Sequence, residues 1–165
     1  MPLTPSRESA LSVRRTTTDD PLAHPLLDGL AHEYTTRYGS AHELSRCPAE
    51  EFAPPHGHVL LLLEQDVPVA GGAYRRYDEH TAELKRIWTH SAHRRRGLAR
   101  RVLAVLEREA AAHGYSRVRL TTGPRQPEAR GLYLASGYRP LFDVSADPET
   151  IGPLPFEKFL ENPKP

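Results

Sequence analysis

The run His93-Arg94-Arg95-Arg96-Gly97-Leu98-Ala99-Arg100-Arg101 stands between a strand-like segment and the clearest helical segment of the chain. Ahead of it, Ala82 to Thr89 reads as a strand. Behind it, Gly97 to His113 reads as a helix, with Leu98, Val102, Val105, Leu106 and Ala110 on one face and Gly114 as its stop. A further strand follows, where Val118 and Leu120 alternate with Arg117 and Arg119. Strand, cationic glycine turn, helix and strand commit the chain to a sheet with helices packed on it. The turn also has a chemistry. A helix start leaves backbone N–H groups unpaired and carries partial positive charge. Crowding Arg94, Arg95, Arg96 and Arg100 there is unfavourable unless an anion joins them. Gly97, with no side chain, lets one approach the backbone. The turn therefore predicts a site for a diphosphate-bearing ligand from Arg94 to Arg100, in which the backbone of Arg96 to Ala99 contributes beside the side chains.

The remaining pattern completes one domain. Leu11 to Arg15 is a short strand. Asp19, Asp20 and Pro21 open a helix carrying Leu22, Leu26, Leu27, Leu30 and Tyr34, and Gly39 ends it. Pro48, Pro54 and Pro55 make Ser40 to Pro55 a loop holding at most a short helix. Val59 to Leu63 and Val67 to Tyr74 are strands around the polar turn Glu64-Gln65-Asp66, and Gly71-Gly72 marks a bulge or a close backbone approach. In the strand Ala82 to Thr89, strict alternation puts Leu84, Arg86 and Trp88 on one face and Glu83, Lys85, Ile87 and Thr89 on the other. Pro127 to Ser136 is a second clear helix, closed by Gly137, and Tyr138 to Phe142 and Phe156 to Leu160 are short final strands. The expected organisation is a frayed tail over 1–10 and one α/β (α+β) domain over 11–165.

Composition narrows the partners. A net charge of +1 over 165 residues makes the basic charge local, so a nucleic-acid module with a broad basic face is disfavoured. Cys47 is the only cysteine, which excludes an internal disulfide and any multi-cysteine metal site; nothing around it in sequence reads as a nucleophile's constellation. His56 and His58 have no third metal ligand at useful spacing, so no metal is expected. No apolar run approaches the ~20 residues that cross a bilayer, and no apolar signal core is present, so no membrane is expected and a cytoplasmic location is.

Two motifs carry a family resemblance. Arg94-Arg95-Arg96-Gly97-Leu98-Ala99, after a strand ending Ile87-Trp88-Thr89, resembles the acetyl-CoA signature of the GNAT N-acetyltransferase superfamily: Gln or Arg, two residues, Gly, one residue, Gly or Ala. Gln126-Pro127-Glu128-Ala129, Leu132-Tyr133 and Gly137-Tyr138 resemble the superfamily's late helix, and Phe156-Glu157-Lys158 its closing strand. Gln126 stands where Asn is common and Ala99 where Gly is common. The resemblance spans about Leu11 to Leu160. It implies a mixed, mostly antiparallel twisted sheet of about six or seven strands, flanked by about four helices and splayed at the acetyl-CoA site. It also implies acetyl transfer from acetyl-CoA, as cosubstrate, to an amine acceptor. Many members pair as homodimers.

Acetyl transfer needs a neutral amine, a donor for the developing oxyanion and a proton for the leaving thiolate. The resemblance assigns the proton to Tyr133 and the oxyanion to the backbone N–H near Trp88, whose side chain reads as packing. It assigns the pantetheine arm to the backbone of Ile87, Trp88 and Thr89. A thiol pKa of ~8.5 against ~10 for tyrosine means that the proton moves late or that the site tunes Tyr133. Glu83 is either a base, sharing the face of Ile87, or a surface glutamate paired with Lys85 or Arg86. His90, at the strand's end, is a secondary shuttle candidate. Tyr34 and Tyr38, with Arg37, Glu33 and Glu43, are either an aromatic and acidic wall for a cationic amine or a surface helix end. The expected acceptor is a small molecule or amino acid; the alternatives are a peptide or protein amine, or a non-catalytic acyl-CoA sensor.

Overall fold

The computed structural model describes residues 11–45 and 48–161, apart from the side chains of Glu43 and Ser45; the tail expected over 1–10 and Cys47 lie outside the described residues. Seven strands form one sheet: β1 Leu11–Thr16, β2 Gly57–Glu64, β3 Val67–Arg76, β4 Thr81–Thr89, β5 Arg117–Thr122, β6 Arg139–Pro140 and β7 Leu154–Phe159. Their order is β1-β2-β3-β4-β5-β7-β6. Every pairing is antiparallel except β4 with β5, the pair that α2, Leu98–Ala112, connects. The other helices are α1 His24–Tyr38, α3 Pro127–Ala135 and the single turn α4 Pro148–Ile151.

The run Val59 to Leu63 is apolar without interruption because β2 is covered on both faces. Leu60 and Leu62 join the core that packs Val102, Leu103 and Leu106 of α2; Val59, Leu61 and Leu63 join Leu26 and Leu30 of α1. The sheet is thus the middle layer, with α1 on one side and α2 on the other. Asp20 accepts from the backbone of Leu22 at 2.9 Å and opens a 3-10 turn that leads into α1; Gly39, at φ 83°, ends the helix. The loop over 40–55 carries two 3-10 turns, His42–Ser45 and Ala49–Phe52. The strand expected over Tyr138 to Phe142 shrinks to Arg139–Pro140, and between it and β7 the chain forms α4.

One feature of β4 departs from strict alternation. Ala73 of β3 faces Lys85, yet Gly71 faces Trp88, so Gly72 alone lies opposite both Arg86 and Ile87. Arg86 takes up the extra residue with φ 60°, and the strand is bulged. The bulge resets which way the side chains point. Ile87 packs with Leu84 against the α2 core, while Trp88 packs with Leu26 and Leu30 under α1. The expected grouping of Leu84 with Trp88, and of Glu83 with Ile87, is therefore corrected. The glycine opposite the bulge is closely approached: a Cβ on Gly72 would lie 2.9 Å from both Ile87 and Leu106.

Trp88, 6% exposed, presses into α1 where Gly29 leaves room, and a Cβ on Gly29 would fall inside the indole. Replacing glycine in a helix interior gains about 1 kcal/mol, whereas overpacking a core costs about 1–3 kcal/mol. Gly29→Ala is expected to lower stability by about 1 kcal/mol or more in urea unfolding. Gly131→Ala, in α3 with open space around it, is expected to raise stability by about 0.5–1 kcal/mol.

Candidate functional site

β4 and β5 pair only through Thr81–Arg117, Ala82–Val118 and Glu83–Arg119. Beyond Glu83 the two strands run on to Thr89 and Thr122 without pairing to each other. A parallel pair that stops pairing halfway must open. The gap holds two adjoining hollows, of about 310 Å3 and about 590 Å3, whose linings share Tyr34, Lys85, Arg86, Thr121, Thr122 and Gln126.

The smaller hollow brings together most of the residues expected to hold the cosubstrate. Ile87, Trp88 and Thr89 line one wall, Arg94 and Ala99 the end at the start of α2, and Gln126 and Tyr133 the wall made by α3. At that end, Gly97 stands in the N-cap position with φ 74° and supplies no side-chain cap, so the first N–H groups of α2 face outward as donors. Leu98 is buried beneath the turn as part of the α2 core. The four arginines divide. Arg94 lines the hollow, and Arg95 and Arg100 are exposed beside it. Arg96 instead pairs with Glu64 at the end of β2 and bonds His93 Nδ1 at 2.7 Å, so its charge is already spent on the fold.

Tyr133 is 6% exposed, with the rings of Phe156 and Tyr138 at 5.6 and 5.9 Å, and it lines the hollow. Burial, reinforced by Tyr34 and Glu33, pushes its phenol well above the ordinary tyrosine range, so the hydroxyl keeps its proton. Gln126 fixes the turn before α3: its Oε1 accepts from the backbone of Gly123 at 3.2 Å and from the hydroxyl of Tyr38 at 3.2 Å. Tyr38 fits there because Gly123 has no Cβ, which would fall inside the phenol.

Glu83 lines neither hollow. It lies in the paired part of β4, 6% exposed, where Arg75 Nη2 stands 2.8 Å from its carboxylate and Arg119 and Lys85 at 3.9 and 4.0 Å. The bulge at Arg86 also removes it from the face of Ile87. His90 turns its Nδ1 to the backbone N–H of Ala92 at 3.0 Å and caps the turn Ser91–His93.

The larger hollow is walled by Tyr34 and Tyr38 of α1, which pack edge to face at 6.3 Å, so the aromatic part of the expected acceptor wall stands there. Of its acidic part, Glu33 does not. Glu33 sits 3.4 Å from Arg37 and faces the smaller hollow instead, while the side chain of Glu43 lies outside the described residues. Sequence reasoning missed the clasp that joins the walls. Arg37 donates to the carbonyl of Arg125 at 2.7 Å and to Glu128 at 2.9 Å, and Arg125 returns a bond to the carbonyl of Arg37 at 3.1 Å. The Arg37 guanidinium holds the Glu128 carboxyl below its usual range. The clasp joins segments far apart in sequence, and no local pattern announces it. Lys85 and Arg86 also line both hollows, on a strand whose first four residues are buried.

His58 does gain partners through the fold. Its ring, the Glu109 carboxylate and the His113 ring offer ligand atoms within 4.8 Å of one another. Arg15, however, binds both oxygens of Glu109 and already supplies a cation to that cluster. Among the described residues, no helix is long and apolar enough to cross a membrane.

Known proteins share this fold. The sequence model described as Acetyltransferase (GNAT) family matches residues 25–138. An uncharacterised N-acetyltransferase of Bacillus subtilis, YsnE, is 33% identical over 107 residues, which are 62% of this chain and 71% of YsnE. An acetyltransferase from Thermus thermophilus superposes with a TM-score of 0.68 at 23% identity, covering 92% of this chain and 97% of that one. A GNAT family acetyltransferase from Elizabethkingia anophelis, solved with acetyl-CoA bound, superposes with a TM-score of 0.67 at 14% identity, covering 92% and 99%. The two motifs, the parted strands and these matches together make the chain an acyltransferase that belongs to the GNAT acetyltransferase family.

Proposed function

We propose that this protein moves an acetyl group from acetyl-CoA to the primary amine of a small molecule, with both substrates bound at once. The observation that carries this is the smaller hollow: an unpaired edge of β4 on one wall, a buried tyrosine on the other, and a helix start open to an anion at one end. The residues fit the cosubstrate. The N–H groups after Gly97, with Arg94, hold the diphosphate. The parted edge over Ile87, Trp88 and Thr89 pairs with the peptide-like pantetheine arm as an added strand would. Acetyl-CoA is named in one neighbour of the same fold. When bound, it supplies an activated acyl carbon and a thiolate leaving group.

The protein's own groups then have distinct tasks. A backbone N–H near Trp88, on the edge of β4 that β3 leaves unpaired, faces the charge that develops on the acyl oxygen. Tyr133 gives a hydrogen bond to the departing sulfur; because burial makes the phenol a weaker acid, its proton moves late, after the C–N bond has formed and as the C–S bond breaks. The acceptor's ammonium proton leaves to water before attack, the surplus proton on the new amide nitrogen leaves to water after it, and water returns a proton to Tyr133. Glu83, spent on Arg75 and absent from the lining, holds β3 to β4 and does not act as the base.

Calorimetric titration with acetyl-CoA, followed by an amine panel with free-thiol detection, tests the whole. No heat at millimolar acetyl-CoA would end it. Tyr133→Phe is expected to lower kcat about 100-fold with acetyl-CoA affinity nearly unchanged; equal turnover removes Tyr133 from the chemistry. Arg94→Ala is expected to weaken acetyl-CoA binding about tenfold, and Arg96→Ala, whose guanidinium serves Glu64, by much less. Glu83→Gln should leave the acidic limb of the pH–rate profile in place while costing about 1–3 kcal/mol in thermal unfolding, since Arg75 loses a buried partner. Loss of that limb would restore Glu83 as the base.

A further inference from the structure

Few groups hold α3 in place. Of its nine residues only Tyr133 is buried, and its N-cap residue, Gln126, offers no side-chain cap. The rings of Phe156 and Tyr138 hold the Tyr133 phenol at 5.6 and 5.9 Å. One anchored side chain fixes how deep a helix sits but leaves the helix able to tilt about that anchor. Polar bonds stop the tilt from both ends. Toward the C-terminal end, Lys158 Nζ donates to the carbonyl of Ser136 at 3.0 Å, and Arg130 donates to the carbonyl of Val144 at 2.8 Å. At the N-terminal end the partner is α1. Arg37 Nη1 donates to the carbonyl of Arg125 at 2.7 Å, and Nη1 and Nη2 span the two oxygens of Glu128 at 2.9 and 3.1 Å. Arg125 donates back to the carbonyl of Arg37 at 3.1 Å, and its backbone N–H to the hydroxyl of Tyr38 at 3.2 Å. Glu33, one turn earlier on α1, braces the guanidinium at 3.4 Å. A planar fork bound in this way fixes direction as well as distance.

We infer that Arg37 is a positioning residue of the reaction: through its fork on Glu128 and the Arg125 carbonyl it sets the angle at which α3 presents the Tyr133 hydroxyl to the acyl group. This rests on the acetyl transfer, and on the part of Tyr133 in it, proposed above. Glu128 and Tyr133 stand less than two turns apart on one short helix, so a swing at its first turn carries the phenol with it. The hydroxyl must meet the departing sulfur within hydrogen-bond reach, and a misplacement of about 1 Å there costs up to about 100-fold in rate. Arg37 borders the smaller hollow, but its Nη atoms serve Glu128 and Arg125 and its Nε faces Glu33. It therefore acts through α3 rather than on a bound molecule.

The test is a double-mutant cycle read in turnover, by thiol release from acetyl-CoA with the most active amine of the panel. Arg37→Ala alone is expected to lower kcat about tenfold while acetyl-CoA affinity, by calorimetry, stays nearly unchanged. In the Tyr133→Phe background the same change should lower kcat by less than about twofold, because no hydroxyl is left to position. Arg37→Lys, which keeps the charge but loses the fork, should recover only part of the loss. A general loosening of the fold would lower turnover by the same factor in both backgrounds, so equal factors overturn the inference. So does unchanged turnover in Arg37→Ala. A loss that shows in acetyl-CoA affinity instead makes Arg37 a ligand of the cosubstrate and overturns it as well. Full turnover in Tyr133→Phe ends it by removing Tyr133 from the chemistry. Acetyl-CoA that fails to bind, or that binds without turnover of any amine, brings down the acetyl transfer itself and the inference with it.

Discussion

The parting of β4 from β5 is the constraint on which the rest of the molecule depends. Three paired residues hold the strands together at one end, and α2 bridges them on one face of the sheet. Past Glu83 the backbone of β4 keeps its antiparallel neighbour β3 but loses its parallel one. A strand edge inside a domain ordinarily invites pairing. Here α1 and α3 stand over it, and the opening becomes a lined groove rather than a liability. The helix start, the buried tyrosine and the aromatic pair of α1 are useful because they converge on that opening.

Much of this was legible in the chain because it rests on local rules. The apolar run of β2, the amphipathic face of α2 and the glycine after α1 each settle a short segment by its own physics. The Arg94-to-Ala99 turn and the Leu132-Tyr133 pair were equally plain, since their spacing is local. What escaped was set by contacts between distant segments. Strict alternation through β4 failed at Arg86, where one extra residue opposite Gly72 inverted the faces of everything after it. Nothing in Lys85-Arg86-Ile87 declares a bulge; only the pairing with β3 does. The fate of Glu83 followed from Arg75 on the neighbouring strand, and that of Arg96 from Glu64 at the end of β2.

Much of the chain's basic charge is paired with acidic side chains. Arg15, Arg37, Arg75, Arg96 and Arg117 are each matched to a carboxylate within the fold. Such pairs contribute modestly when exposed, and more where burial removes water. A formal net charge of +1 therefore conceals many charges of both signs that the fold has paired.

The seating of the Trp88 indole in the notch at Gly29 has a mechanical consequence. The helix that bears Tyr34 and Tyr38 and the strand that bears Trp88 touch with no slack between them. A tilt of that helix therefore cannot leave the strand where it was. The two walls of the opening are coupled as one rigid piece rather than hinged.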